Sequence, residues 1–114
     1  MICRKNEQNL AIVNGLREGT GNAHLTKLMS ELPAHMKMFN IITLKPQASI
    51  GYHMHEHETE LFYFVSGRAL LTDDGVEYEL TAGDAAATGH GHWHGVKNIG
   101  SEPLVMVACI VTEA

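Results

Sequence analysis

From residue 37 onward the chain is a succession of short apolar, β-branched runs cut at close intervals by turn residues, and that pattern leaves few folds open. KMFNIITL (37–44) ends at Lys45-Pro46, a second run covers 49–55, and ELFYFV (60–65) stops at Ser66-Gly67. Runs at 69–72 and 76–80 flank Asp73-Asp74-Gly75. That is a hairpin signal, since Asp-Gly tolerates the left-handed backbone of a two-residue turn. Thr81-Ala82-Gly83-Asp84 marks another turn, and further strands are expected at 85–88, 96–99 and 104–111. Many short strands with almost no helical period argue an all-β sandwich or barrel, in which closure or face-to-face packing also hides strand edges. Earlier in the chain the signals are mixed: 11–13 could be a strand before Asn14-Gly15, and 23–32 a helical turn or a strand stopped by Pro33. The expectation is one domain of 114 residues, in which 1–36 packs as strands or a turn on a β-barrel built from 37–114.

Charge and cysteine usage exclude whole classes of partner. Thirteen acidic against eight basic residues leave a net charge of −5, so no basic surface is available to neutralise phosphates. Neither nucleic acid nor an anionic membrane is expected as a partner. The longest apolar run, LVMVACIV at 104–111, is too short to span a bilayer and reads as a buried strand. MICRKNEQNL shows no apolar stretch of the secretory kind, and Cys3 and Cys109 form no CxxC pair. Reduced thiols in a cytoplasmic protein are the expectation.

Histidine is the unusual count. Six of the eight fall in two short clusters, His53-Met54-His55-Glu56-His57 and His90-Gly91-His92-Trp93-His94. Residues two apart on a strand share a face, so His53 and His55 point the same way. A single histidine on a strand is ordinarily hydrogen-bonded or exposed. Two clusters that a β fold can bring together are different, because imidazole nitrogens with a carboxylate suit a divalent first-row metal.

These two segments resemble the paired motifs of the cupin superfamily. The first motif runs Gly, five residues, His-x-His, three or four residues, Glu, six residues, Gly. Here His53-x-His55, four residues, Glu60, six residues, Gly67 matches it, with Gln47 in place of the opening glycine. The second runs Gly, five residues, Pro-x-Gly, two residues, His, three residues, Asn. Gly83, Gly89-His90-Gly91, His94 and Asn98 match it, with Gly89 in place of proline. Fifteen residues separate Gly67 from Gly83, the compact spacing of small bacterial members.

The resemblance covers roughly residues 37–111 and implies a double-stranded β-helix, or jelly-roll, barrel of the RmlC-like kind. It implies His53, His55, Glu60 and His94 as ligands of one divalent transition metal: Fe, Mn, Ni, Co, Cu or Zn. Glu60 could also loosen to act as a catalytic base. The offsets of His57, His90 and His92 miss the motif, so they are expected around the pocket mouth. Strand alternation from Glu60 sets Phe62 and Phe64 on the ligand face, as pocket wall or as plain barrel core. A small-molecule ligand is therefore expected. Two functions follow from it: an oxygenase, decarboxylase, isomerase or lyase, or a non-catalytic module that binds or senses a sugar or metabolite. Residues 104–111 are apolar on both faces, and small cupins are commonly homodimers, so a second copy is the expected partner.

Overall fold

The computed structural model describes residues 1–113. Among these, ten strands alternate with short turns: β1 (Asn9–Asn14), β2 (Asn22–Lys27), β3 (Met36–Leu44), β4 (Ser49–Met54) and β5 (Glu58–Ser66) come first. Next are β6 (Arg68–Asp73), β7 (Val76–Thr81), β8 (Ala85–Thr88), β9 (Trp93–Asn98) and β10 (Leu104–Thr112). They form two antiparallel sheets, ordered β1-β2-β3-β10-β5-β8 and β4-β9-β6-β7. The only helical turns among the described residues are two short 3-10 segments, Lys5–Glu7 and Leu16–Glu18. Among the described residues no helix is long and apolar enough to cross a membrane.

Side-chain alternation explains how the sheets face each other. Along β5, Glu58, Glu60, Phe62 and Phe64 are buried, while Leu61, Tyr63 and Val65 are exposed. Along β10, Leu104, Met106, Ala108 and Ile110 are buried, while Val105, Val107 and Cys109 are only half covered. One face of β10 is thus core, and its other face is apolar but partly open. The inner faces meet in one cluster that includes Leu44, Phe62, Phe64, Leu71, Val96 and Met106. Emptying a side chain the size of Phe64 costs about 3–5 kcal/mol, through lost burial and the cavity left behind.

Turn chemistry sets the ends. Asp73 pairs with Val76 across a two-residue turn in which Asp74 (φ 46) and Gly75 (φ 83) are both left-handed, as the twist of a tight hairpin requires. Gly67, which closes the first motif, has φ 95, and a Cβ there would sit 2.8 Å from the Pro103 carbonyl oxygen. At the motif's opening position Gln47 also adopts a left-handed φ of 72, so a glycine conformation is held by a residue with a side chain. The buried Asn98 ends the second motif by tying three segments together. Its Nδ2 donates to the carbonyls of Leu44 and Glu102, and its Oδ1 accepts from the Gly100 N–H.

The observed β9 starts earlier than the apolar pattern indicates. His94 and Gly95 carry no hydrophobic signal, yet His94 pairs with His53 on β4 and Gly95 with Thr72 on β6. Those pairings are made by neighbouring strands, so local periodicity does not show them. At the N-terminus, β2 pairs with β3 and β1 with β2, extending the six-stranded sheet at one edge.

Candidate metal centre

Both sheets contribute to the site. His53 on β4 and His94 on β9 are cross-strand partners in the four-stranded sheet. Glu60 comes from β5 of the six-stranded sheet, opposite them, and His55 lies just past the end of β4. One donor atom from each of these four residues lies within 4.8 Å of every other. His55 and His94 are 2% and 1% exposed and Glu60 is 6% exposed, while His53 is half-buried, so the cluster meets water only on the His53 side.

The rings are held from behind. His53 Nδ1–H donates to the Gly51 carbonyl at 2.6 Å, and His55 Nδ1–H donates to Glu58 Oε2 at 2.6 Å. Those partners only accept, so the proton of each neutral ring sits on Nδ1 and its Nε2 carries a bare lone pair. His94 Nδ1 bonds the Thr88 hydroxyl at 2.9 Å, and Phe62 stacks on the His94 ring with centroids 5.2 Å apart and planes 8° from parallel. The Nε2 atoms then converge: His55 lies 3.2 Å from His53, 2.9 Å from His94 and 3.1 Å from Glu60 Oε1. One ring nitrogen cannot satisfy three such neighbours by hydrogen bonding. Lone pairs from separate rings aimed at one point beside a carboxylate are the donor set that a divalent cation accepts, and these residues fit one.

Electrostatics agree with that geometry. Without a metal, the same Nε2 atoms can instead carry protons toward Glu60: burial acts to raise its carboxyl, but hydrogen bonds from His55 and His94 in that protonated form outweigh it and hold the group down at about 2. Hydrogen bonding to Glu60 raises His55 above its ordinary value, against the effect of burial. Burial lowers His53. Glu58 is pushed up by burial and pulled down further by Lys37 Nζ, which donates to its Oε1 at 2.8 Å, and by His55.

A cavity of about 120 Å³ adjoins the cluster, lined by His53, His55 and Glu60 and by Arg17 and apolar side chains such as Leu25, Met38, Ile42 and Ile50. Two larger clefts, about 280 and 480 Å³, lie over the N-terminal half and reach none of the four residues. The small cavity is the relevant one, because it alone of the three joins apolar walls to convergent polar groups.

Four residues expected near the pocket do not line this cavity. Phe62 and Phe64 share the inner face with Glu60 but lie deeper, 3% and 0% exposed, as barrel core, one of the two readings their alternation left open. His57 is exposed, stacked on His90 with centroids 4.6 Å apart and within 3.3 Å of Glu113. His92 is exposed too and bonds Asp74 Oδ2, while Asp74 Oδ1 accepts the Trp93 N–H at 2.8 Å. Asp74 is therefore a clamp between the β6–β7 turn and the start of β9, beyond its role as a turn residue. Sequence reasoning also passed over Glu58, Lys37, Thr88 and Arg17. Glu58 alone had a local signal, since it shares strand parity with Glu60; the others are brought in by chain segments far away.

Two facing sheets with three imidazoles and a carboxylate gathered between them define a double-stranded β-helix protein with a candidate metal centre. The chain belongs to the cupin family: the family model described as Cupin domain matches residues 40–111. It is 31% identical over 113 residues to a Thermotoga maritima protein named oxalate-binding protein, across 97% of this chain and 93% of that one. A solved Thermotoga maritima structure, described as a predicted oxalate decarboxylase, superposes with a TM-score of 0.93 at 29% identity, covering 98% of this chain and 99% of that chain. KdgF from Halomonas sp. shares the fold at 18% identity and a TM-score of 0.76, covering 100% of this chain and 94% of that chain.

Proposed function

We propose that His53, His55, Glu60 and His94 hold one divalent transition metal, and that the protein binds a small organic acid of the oxalate kind at it. The observation that carries this reading is the convergence of Nε2 lone pairs whose rings are fixed by Gly51 and Glu58. The ligand class is supported by similarity to the protein named oxalate-binding. The adjoining volume of about 120 Å³ also suits a molecule of few atoms. When bound, the metal would supply Lewis acidity to a chelating oxygen pair.

One observation favours binding over turnover. Apart from the proposed ligands and Arg17, the cavity walls named above are apolar and offer no group to move a proton. Glu60 is itself one of the four proposed ligands, so its oxygen is committed to the metal rather than to moving a proton. Turnover as a decarboxylase, oxygenase, isomerase or lyase is the competing reading, and a sugar or another metabolite is the competing ligand.

The test is elemental analysis of untagged protein purified without chelators, followed by oxalate calorimetry and an assay for loss of oxalate. About one equivalent of metal per chain with saturable oxalate binding supports the reading. Oxalate consumption moves the assignment to the enzyme, and protein that takes up no metal overturns it.

The outer face of the six-stranded sheet presents Leu61, Tyr63, Val65 and Val111 to solvent beside the half-covered Val105 and Val107. We place the contact with a second copy of the chain there, since a continuous apolar sheet face is unusual on a monomer. Tyr63→Glu should convert a dimer to monomer in sedimentation. Both cysteines are free, which fits a reducing cytoplasm.

A further inference from the structure

We propose that Arg17 binds the second carboxylate of a small dicarboxylate whose first carboxylate faces the His53, His55, Glu60 and His94 group. This rests on the organic-acid reading above and narrows it to a dianion with its two charges close together.

Arg17 lines the cavity beside His53, His55 and Glu60. It also lines the two flanking surface depressions, one shared with Lys37 and Glu58, the other with Tyr52, His53 and Trp93. The two cations bordering this region differ in one respect. Lys37 is committed to Glu58 at 2.8 Å, while Arg17 makes no ion pair among the described residues. An unpaired guanidinium next to a cluster that accepts a cation makes a local field suited to two negative charges. Its planar fork matches a carboxylate with two parallel hydrogen bonds.

The backbone holds Arg17 there at a conformational cost. Gly15, Arg17 and Glu18 all have left-handed φ, at 68, 51 and 63. The turn is locked onto β4 by close backbone contact: a Cβ on Gly51 would meet the Arg17 carbonyl oxygen at 1.9 Å, and one on Gly19 would meet the Ser49 carbonyl oxygen at 2.2 Å. Ser49 Oγ accepts the Thr20 N–H at 2.9 Å, and the Ser49 N–H donates to the Thr20 carbonyl at 2.8 Å. Gly51, which gives the turn room, also offers the carbonyl that orients His53. The position of Arg17 is thereby coupled to the ring beside it. Strain of this kind persists where surrounding structure over-determines it, and it gathers at ligand sites.

Wild-type, Arg17→Gln and Arg17→Lys proteins, each loaded with the metal found on purification, would be titrated with oxalate and with acetate while metal content is measured. The substituted residues face the same left-handed backbone, so stability should not separate them. The expected result is unchanged metal in all three and oxalate affinity lowered about tenfold or more in Arg17→Gln. Arg17→Lys should recover part of it, and acetate should bind all three alike. Equal oxalate affinity in wild type and Arg17→Gln overturns the role of Arg17 and leaves the metal and organic-acid reading standing. Loss of metal from Arg17→Gln also overturns it, by making Arg17 structural. Wild type that holds metal but binds no oxalate overturns the organic-acid reading, and the inference with it.

Discussion

The molecule carries two histidine–carboxylate groups a few residues apart, and they are built in opposite ways. His53, His55, Glu60 and His94 lie between the sheets, and two of their rings are oriented by acceptors behind them. His57, His90 and Glu113 could also bring three donors together, but all three are exposed. There, His90 Nδ1 is already occupied by the His57 backbone N–H at 2.9 Å, so the neutral ring offers its proton rather than its lone pair on the other side. The backbone between the groups is shared: Gly91 N–H donates to the His55 carbonyl and Glu113 N–H to the His57 carbonyl. The lesson is that ligand identity and proximity do not make a metal centre. What separates the two groups is that partners behind the rings orient the lone pairs of His53 and His55, and the second group lacks them.

The largest effect should come from breaking the buried group. His94→Ala or His55→Ala should lower metal affinity at least about a hundredfold, while His57→Ala and His90→Ala should keep one equivalent per chain. Metal titration followed by elemental analysis checks this, and equal losses from both groups would erase the contrast.

Next comes the support behind the ring. Glu58→Gln should weaken metal binding by about ten- to a hundredfold, because the amide can turn its NH2 toward His55 Nδ1 and misplace the ring proton. Lys37→Met should do less, since Lys37 is largely exposed. Wild-type affinity in Glu58→Gln would show that the ring needs no acceptor there.

Acid sharpens the comparison further. In metal-free protein, Glu60 has its folded value depressed to about 2 against an ordinary 4.5. Between those values the unfolded chain binds more protons, so this stability is present above 4.5 and is lost as pH falls through about 2. The loss is on the order of 3 kcal/mol before the histidines are counted. Denaturant unfolding of wild type should follow that limb, and Glu60→Gln should flatten it. With metal bound, protons compete at His55, whose raised value makes release begin at higher pH than for a free imidazole.

The smallest effect tests the exposed group. His57 has a left-handed φ of 57, so His57→Gly should raise stability by up to about 1 kcal/mol and leave metal content unchanged. A fall in melting temperature instead would mean that the stack on His90 holds the loop.

Much of this architecture was legible along the chain. Strand parity in residues 58–66 follows from a period of two, 104–112 reads as a strand from its apolar run, and the Asp-Gly turn follows from backbone sterics, so the all-β fold needed no distant information. The offsets linking His53, His55, Glu60 and Gly67, and Gly83 with His94, are likewise local counts. Depth was not legible. Phe62 and Phe64 have the same parity as Glu60, yet parity names a face and says nothing about distance from the open end. The motif offsets did set His57 apart from the ligands, but not its place: it continues the spacing of His53 and His55, and a left-handed backbone after the end of β4 turns the chain away.

The order of residues by itself determined most of the strands, the parity of 58–66 and the two segments rich in metal-binding side chains, because each depends on sterics and periodicity within a few neighbouring residues. Only the tertiary structure decided that Glu58 backs His55, that Thr88 backs His94, and that Arg17 reaches the cavity from a turn docked on Gly51. It also left His57 and His90 in water. Those choices depend on which strands lie opposite one another, and a lone pair acquires its direction only from the partner that folding places behind it.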